Sequence, residues 1–322
     1  MTDRIRLSCN PALHKYLPLL TAIESGYFDA SGVRLDLEPY VGSTYTQIPK
    51  LSSGDLEMTI VANAAPLFQH AGRGEDIRLI ASVNQVRNGY FDGCWLVMRP
   101  DVWGSRSVRT PRDLKGRSID GSAPGSPVDF LARQALAAAG LGVADSRYQC
   151  EMRTVEAWSA GLRSKTVDVQ AMVEPFATQV EAQGLGIRWL SYQDVVPWYQ
   201  ETYLATSSQF LERQPETVER FLVAFLRGVR DVLAARRRWT PSLLGVASKW
   251  SRTTAEFLVR SGGLPYTRAD ASVSIASLRR VYSFWTGQGL VDAPLRVSDL
   301  VDVTALKRAV ATVAHPSIDP LV

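Results

Sequence analysis

The sequence predicts an α/β protein in two lobes with a helical C-terminal tail, and three observations lead there. Strand-like and helix-like segments alternate with short connections, the pattern of largely parallel sheets. The alternation runs twice, over residues 1 to about 94 and then to about 204, with the turn-rich "DVWGSRSVRTPRDLKG" early in the second run. From Pro215 onward the pattern is almost wholly helical and has no sheet core of its own. At 322 residues, and with domains of roughly 100–200 residues, two domains are also the expected number.

Taken in order, "IRLS" is a short strand. A helix follows from Pro11 to Gly26, with Leu13, Tyr16, Leu17, Leu20, Ile23 and Tyr27 at helical spacing. Asn10 is its natural N-cap and Pro11 its natural first residue. "VRLDLE", "LEMTIV" and "IRLIASV" are strands, separated by the helical "TYTQIPKLSS" and "NAAPLFQHAG". "GCWLVMRP" starts a changeover. The second half reads "RSID", a Gly/Ser/Pro loop, the helix "VDFLARQALAAAG", then "YQCEMRTV", "VDVQAMV" and "IRWLS" as strands with helices between. "TYLATSS" is a crossing strand. The tail's apolar stripe, Phe221, Phe225 and Val229, must cover another element. The economical arrangement gives residues 1–94 plus 205–322 to one lobe and 95–204 to the other, joined by a hinge with a ligand cleft between.

The bulk numbers narrow the function classes. Lys and Arg total 36 against 32 acidic residues, and hydrophobic residues make up 46%, as in an ordinary soluble protein. The densest basic run, Arg236–Arg238, ends an amphipathic helix, where cations complement the carbonyl end. No basic, aromatic-interleaved strip marks a nucleic-acid surface. Three cysteines, Cys9, Cys94 and Cys150, lack CxxC spacing and argue against a disulfide framework. No apolar run reaches the roughly 18–20 residues of a membrane span. "MTDRIRLSCN" has no secretory apolar core or cleavage site, so read literally the chain is cytoplasmic.

Candidate site residues cluster where strands end and helices begin. "GSAPGS" (Gly121, Ser122, Gly125, Ser126) offers small residues and backbone N–H groups at a helix start, which suits an anionic group. "GSTY" (Gly42, Ser43, Thr44) takes the equivalent place in the first lobe. Each loop is equally explained as a capped turn. Glu174, in "VEPF", ends a strand at the edge where open α/β sheets bind ligands, or serves only as a helix-start carboxylate. His14 lies on the first turn after the first strand, facing a ligand or satisfying a backbone carbonyl. Cys9 is a small buried residue unless its pKa is lowered. No phosphate-loop, metal-ligand or nucleophile-elbow spacing occurs, so neither cofactor nor metal is expected.

Longer stretches resemble a known family. "A-x-E-x-G-Y-F" before "G-V-x-L-x-L", "L-x-S-G-D-L-E-M" and "I-R-L-I-A-S" are similar to the first lobe of ABC-transporter solute-binding proteins for sulfonates, taurine, nitrate and thiamine-pyrimidine precursors. "TPRDLKGRSIDGSAPGSPVDFLARQALAAAGL", "VDVQAMVEPFATQVEAQG" and "FLERQPETVERFLVAFLRGVRD" resemble its second lobe and tail. The resemblance spans nearly the whole chain and implies a type II periplasmic-binding-protein fold. It implies ligand contacts at Asn10, His14, Gly42, Ser43, Thr44, Asn63 and Ala64, and at Gly121, Ser122, Gly125, Ser126 and Glu174. Tyr16, Tyr45, Trp95 and Trp158 are the aromatic candidates.

The expected function is capture of a small organic anion (a sulfonate, carboxylate or heteroaromatic precursor) for ABC-type uptake. An ABC permease is then the partner, and the periplasm or cell surface the location. The alternative is a cytoplasmic enzyme on the same scaffold, a desulfinase or decarboxylase using Cys9 with His14. Relatives of this fold include the thiamine-pyrimidine synthase, whose cysteine-rich iron-binding run is missing here. They also include an aromatic desulfinase with a cysteine in the same strand-to-helix loop. Thiolate chemistry at Cys9 requires a cationic neighbour, and His14 is the nearby candidate. A ligand sensor acting on a partner ranks last, because no DNA-binding helix pair precedes the first lobe.

Overall fold

The computed structural model describes residues 3–40, 44–105, 107–151 and 155–313. Among these residues, ten strands form two five-stranded sheets: β1 (Asp3–Cys9), β2 (Val33–Pro39), β3 (Met58–Ala62), β4 (Arg78–Gln85), β5 (Cys94–Met98), β6 (Ser118–Asp120), β7 (Arg147–Gln149), β8 (Val169–Val173), β9 (Ile187–Ser191) and β10 (Gln200–Thr206). By internal contacts the chain divides into a unit of 1–85, 200–258 and 263–322 and a unit of 86–199 with 259–262. The changes of unit at 85/86 and 199/200 precede the expected 94/95 and 204/205, because β5 and β10 each belong wholly to one sheet.

In the first unit the strand order is β2-β1-β3-β10-β4, with β1 parallel to β2 and β3, and β10 antiparallel to β3 and β4. β3, "MTIVA", is buried throughout, as a strand covered on both faces requires. The tail packs on the helices that follow β1 and on β2. Its helix Pro215–Ala234 buries Phe221, Phe225 and Val229 completely, with Phe221 at 5.0 Å from Phe28. The same helix meets the helix Leu17–Glu24 closely: a Cβ on Gly228 would lie 2.2 Å from the Pro18 carbonyl oxygen. Glycine is needed there for the approach of two backbones. The arginines 236–238 fall just past this helix's C-cap, Ala235, and are exposed.

The first helix is shorter than its periodicity predicts. The chain after β1 makes a turn in which the Asn10 side chain accepts from the Ala12 N–H at 3.2 Å. It then makes a 3₁₀ turn, His14–Tyr16, before the α-helix Leu17–Glu24. Asn10 is therefore a turn residue and not the expected N-cap. The cause is Pro18: inside a helix begun at Pro11 it would remove a ladder bond and clash with the preceding turn. Starting the α-helix at Leu17 places it in the first turn, where it has no N–H to lose.

In the second unit the order is β7-β6-β8-β5-β9, with β6 parallel to β7 and β8, and β5 antiparallel to β8 and β9. Each sheet thus pairs a parallel core with one antiparallel crossing strand, β10 or β5. No helix among the described residues is long and apolar enough to cross a membrane.

Candidate functional site

In each unit, the residues singled out from sequence gather at the carboxyl ends of neighbouring parallel strands. In the first unit these are Cys9, the last residue of β1, Asn10 and His14 after it, and Asn63 and Ala64 after β3. Gly42 and Ser43 lie outside the described residues, and Thr44 opens the 3₁₀ turn Thr44–Gln47.

What dominates this edge is a buried ion pair that the motif reading missed. β10 is buried along its whole length although its sequence, "QETYLAT", is half polar. Glu201, fully buried, takes the Lys15 ammonium at 2.6 Å on one carboxylate oxygen and the Asn84 amide at 2.8 Å on the other. Buried carboxylates need such partners. Lys15 also lies 5.6 Å from the centre of the Tyr16 ring. Burial pushes the phenols of Tyr16, Tyr40 and Tyr45 above the ordinary tyrosine range. The signal for the pair was a lone Glu inside an otherwise strand-forming run, which demands a cation once the strand is central.

Around this pair, Asn63 turns its amide toward β10, donating to the Gln200 carbonyl at 3.0 Å, while its backbone N–H reaches the Glu201 carbonyl at 2.7 Å. Ala64 caps the helix Ala65–Gly72 by backbone alone. His14 is buried, edge-on to Trp239 at 6.2 Å, and burial together with neighbouring Lys15 lowers its pKa to about 3. Cys9 is buried at the end of β1, and burial pushes its thiol up to about 12. Burial thus favours the neutral thiol at Cys9 and the neutral imidazole at His14, the reverse of an activated nucleophile.

In the second unit, Gly121, Ser122, Gly125 and Ser126 follow β6, and Glu174 follows β8. Ser126 caps the helix Pro127–Ala138 by accepting from the Asp129 N–H. Ser122 adopts a positive φ of 70°, is buried, and donates its hydroxyl to the Ala171 carbonyl at 2.6 Å. Glu174 accepts from the Thr178 N–H and hydroxyl and from Arg188 at 3.0 Å. Burial raises its pKa, with Arg188 and Thr178 pulling the other way. Arg188 also reaches Glu181 and the carbonyls of Arg260 and Ser261. It borders a cavity of about 340 Å³ lined with Tyr90, Asp92, Trp95, Gln193 and residues 260–262.

The aromatic candidates of this unit also pack against its core. Trp95 shares its face of β5 with Val97, and Trp95 and Trp158 pack against the buried cluster of Val97, Leu162, Val167, Met172, Ala177 and Val180. No group of three or more metal-ligating side chains occurs among the described residues.

The family model described as NMT1/THI5 like matches residues 14–237. No curated protein matches the chain. Among solved structures, the periplasmic nitrate-binding protein NrtA from Synechocystis PCC 6803 superposes with a TM-score of 0.78 at 15% identity, over 98% of this chain and 90% of that one. The periplasmic aliphatic sulphonate binding protein SsuA from Escherichia coli gives 0.75 at 14%, over 95% of this chain and 100% of that one. The desulfurization enzyme DSZB gives 0.65 at 19%, over 96% and 99%. At these identities the likeness establishes the fold, which is that of the two-lobed binding proteins.

Proposed function

The chain belongs to the NMT1/THI5-like family, and on that premise we propose that it is a solute-binding protein for ABC-type uptake, with a sulfonate, a carboxylate or a heteroaromatic precursor as its solute. In this reading each α/β unit is one lobe, and an ABC permease is the partner. The proposed contacts are Asn10, His14, Gly42, Ser43, Thr44, Asn63 and Ala64 in one unit, of which Gly42 and Ser43 lie outside the described residues, and Gly121, Ser122, Gly125, Ser126 and Glu174 in the other. The observation that carries the reading is the end-to-end fit to a nitrate-binding and a sulphonate-binding protein.

Binding is tested by heat stabilisation across sulfonates, aromatic carboxylates and pyrimidines. A solute at 100 times its Kd adds about 2.7 kcal/mol, which for a chain of this length raises the midpoint by about 4 °C. Silence across the whole panel refutes the proposal.

A second reading, an enzyme using Cys9, is favoured by the likeness to DSZB and by the place of Cys9 at the end of β1. Against it stand the thiol's burial and raised pKa. An enzyme of this kind alkylates rapidly at Cys9 near pH 8 and loses turnover in Cys9→Ser. A binding protein leaves Cys9 unlabelled until denaturant is added.

A further inference from the structure

We propose that the second unit carries a docking surface for an anionic phospholipid bilayer, at the amino ends of its parallel strands. The inference goes beyond the solute-binding reading and does not depend on it. Gly121 and Glu174 stand past the carboxyl ends of β6 and β8. At the opposite ends of the same strands the fold collects cations from separate chain segments. Arg117 runs into β6 and Arg147 opens β7, and their backbones are joined, the Arg147 N–H donating to the Arg117 carbonyl at 2.8 Å. Arg163 and Lys165 come just before β8, and Arg99 just after β5, which is antiparallel to β8. The Arg99 guanidinium donates to the Lys165 carbonyl at 2.9 Å, so these segments meet as well. Arg112 and Lys115 belong to the 3₁₀ turn Pro111–Leu114 and its C-cap, which lead into β6.

The carboxylates at this end are already committed. Asp168 takes Arg99 at 3.2 Å and Arg147 at 3.7 Å, and Asp101 takes Arg99 at 2.6 Å. Asp113 accepts from the N–H groups of Arg109 and Thr110, and Asp145 from that of Gly142. Arg112, Lys115, Arg163 and Lys165 are exposed and form no ion pair among the described residues. Arg147 keeps 73% of its side chain exposed despite Asp168. Such an excess of like charge favours a negatively charged partner. Its extent says which kind. The strands concerned are adjacent in the order β7-β6-β8-β5, and at about 4.8 Å per strand their ends span about 14 Å. A single small anion is too short to meet all these cations, whereas a surface of phosphate headgroups meets them together. A nucleic acid fits less well. Trp103, in the short helix Pro100–Gly104, has the Arg109 guanidinium 3.9 Å from its ring centre, where a base would stack. The unpaired cations sit in turns and at the end of the short helix Ala160–Arg163, not along a helix able to enter a duplex groove. Docking is therefore peripheral and electrostatic, with no inserted segment.

The test is co-sedimentation of the full chain with vesicles, either pure phosphatidylcholine or equal parts phosphatidylcholine and phosphatidylglycerol. Binding to the anionic vesicles alone is expected at about 10 mM salt, where the Debye length is about 30 Å, with a sharp fall at about 150 mM, where it is about 8 Å. Each cation at an anionic surface raises partitioning about fivefold. The combined variant Arg112→Gln, Lys115→Gln, Arg163→Gln and Lys165→Gln is therefore expected to bind at least about a hundredfold more weakly at low salt, with its urea midpoint unchanged. Arg236→Gln, Arg237→Gln and Arg238→Gln together remove exposed charge from the first unit and are expected to cost no more than about fivefold. Equal binding to the two kinds of vesicle, or binding to neither, overturns the proposal, and this arm needs no variant. A loss as large in the first-unit variant as in the second-unit variant also overturns it. So does tighter binding to single-stranded or duplex DNA than to the anionic vesicles at equal phosphate, which gives this surface to a nucleic acid.

Discussion

Replacing Lys15 by methionine keeps most of the side chain's volume and removes the ammonium from Glu201. In the native protein the two charges stand 2.6 Å apart, with 8% of the lysine side chain exposed and none of the glutamate. At an effective dielectric of 20, their attraction is about 6 kcal/mol at that distance. Several kcal/mol of desolvation per ion oppose it. The net value of the pair is therefore small, but removing the lysine leaves a buried carboxylate without its counter-ion, with the Asn84 amide as its remaining side-chain donor among the described residues, and that loss is large. The expected cost of Lys15→Met is about 3–5 kcal/mol. Glu201→Gln alone is expected to be destabilising as well, because the buried lysine then loses its counter-carboxylate. The double variant removes both charges and is expected to recover at least 2 kcal/mol relative to the sum of the singles. Urea unfolding of the four proteins measures this, with midpoint and slope followed separately so that a changed denatured state is recognised. If Lys15→Met costs less than about 1 kcal/mol, or the two substitutions simply add, the pair is not what organises this edge of the sheet.

Two further predictions rest on other parts of the first unit. Gly228→Ala is expected to lose about 1–3 kcal/mol by overpacking against Pro18, whereas Gly245→Ala, in the helix Pro241–Ser251 with nothing within 4 Å, is expected to gain up to about 1 kcal/mol; equal effects in urea unfolding would refute the close-contact argument. Because His14 has a folded pKa of about 3 against an ordinary 6.5, the unfolded chain binds its proton first, so stability is full above pH 6.5 and falls as the pH drops toward 3. His14→Phe is expected to flatten that stability–pH slope, by on the order of 5 kcal/mol over the whole window; an unchanged slope refutes it.

The fold was legible to an unusual depth for specific reasons. Periodicity located the stretches that hold nine of the ten described strands, all but β5, since β-branched and apolar runs bounded by Gly, Asp and Pro leave few alternatives. The crossing strands β5 and β10 were legible as interruptions of the alternation, though not which sheet each joins. The first helix misled, because apolar spacing alone does not register that a proline eight residues in must lie at a helix start. At the site, "GSAPGS" was rightly placed at a helix head, but its N–H groups were read as open. The carboxylate that takes one of them is Asp129, in the first turn of that same helix, and as a short-range signal it reads as routine capping.

What the amino-acid order determined by itself was local: where strands and helices run, that two α/β repeats are followed by a helical tail, and which loops stand at strand ends. These follow from dihedral preferences and the burial of apolar faces, which act over a few residues. Tertiary structure alone decided which charges meet. Lys15 and Glu201 are separated by 186 positions, and Glu174 finds Arg188 only through strand pairing in the second sheet. A buried charge is tolerated only beside its counter-ion, and no local pattern says which distant residue that is. The character of the strand edge, charged in sequence and neutralised in structure, is therefore a property of the folded protein.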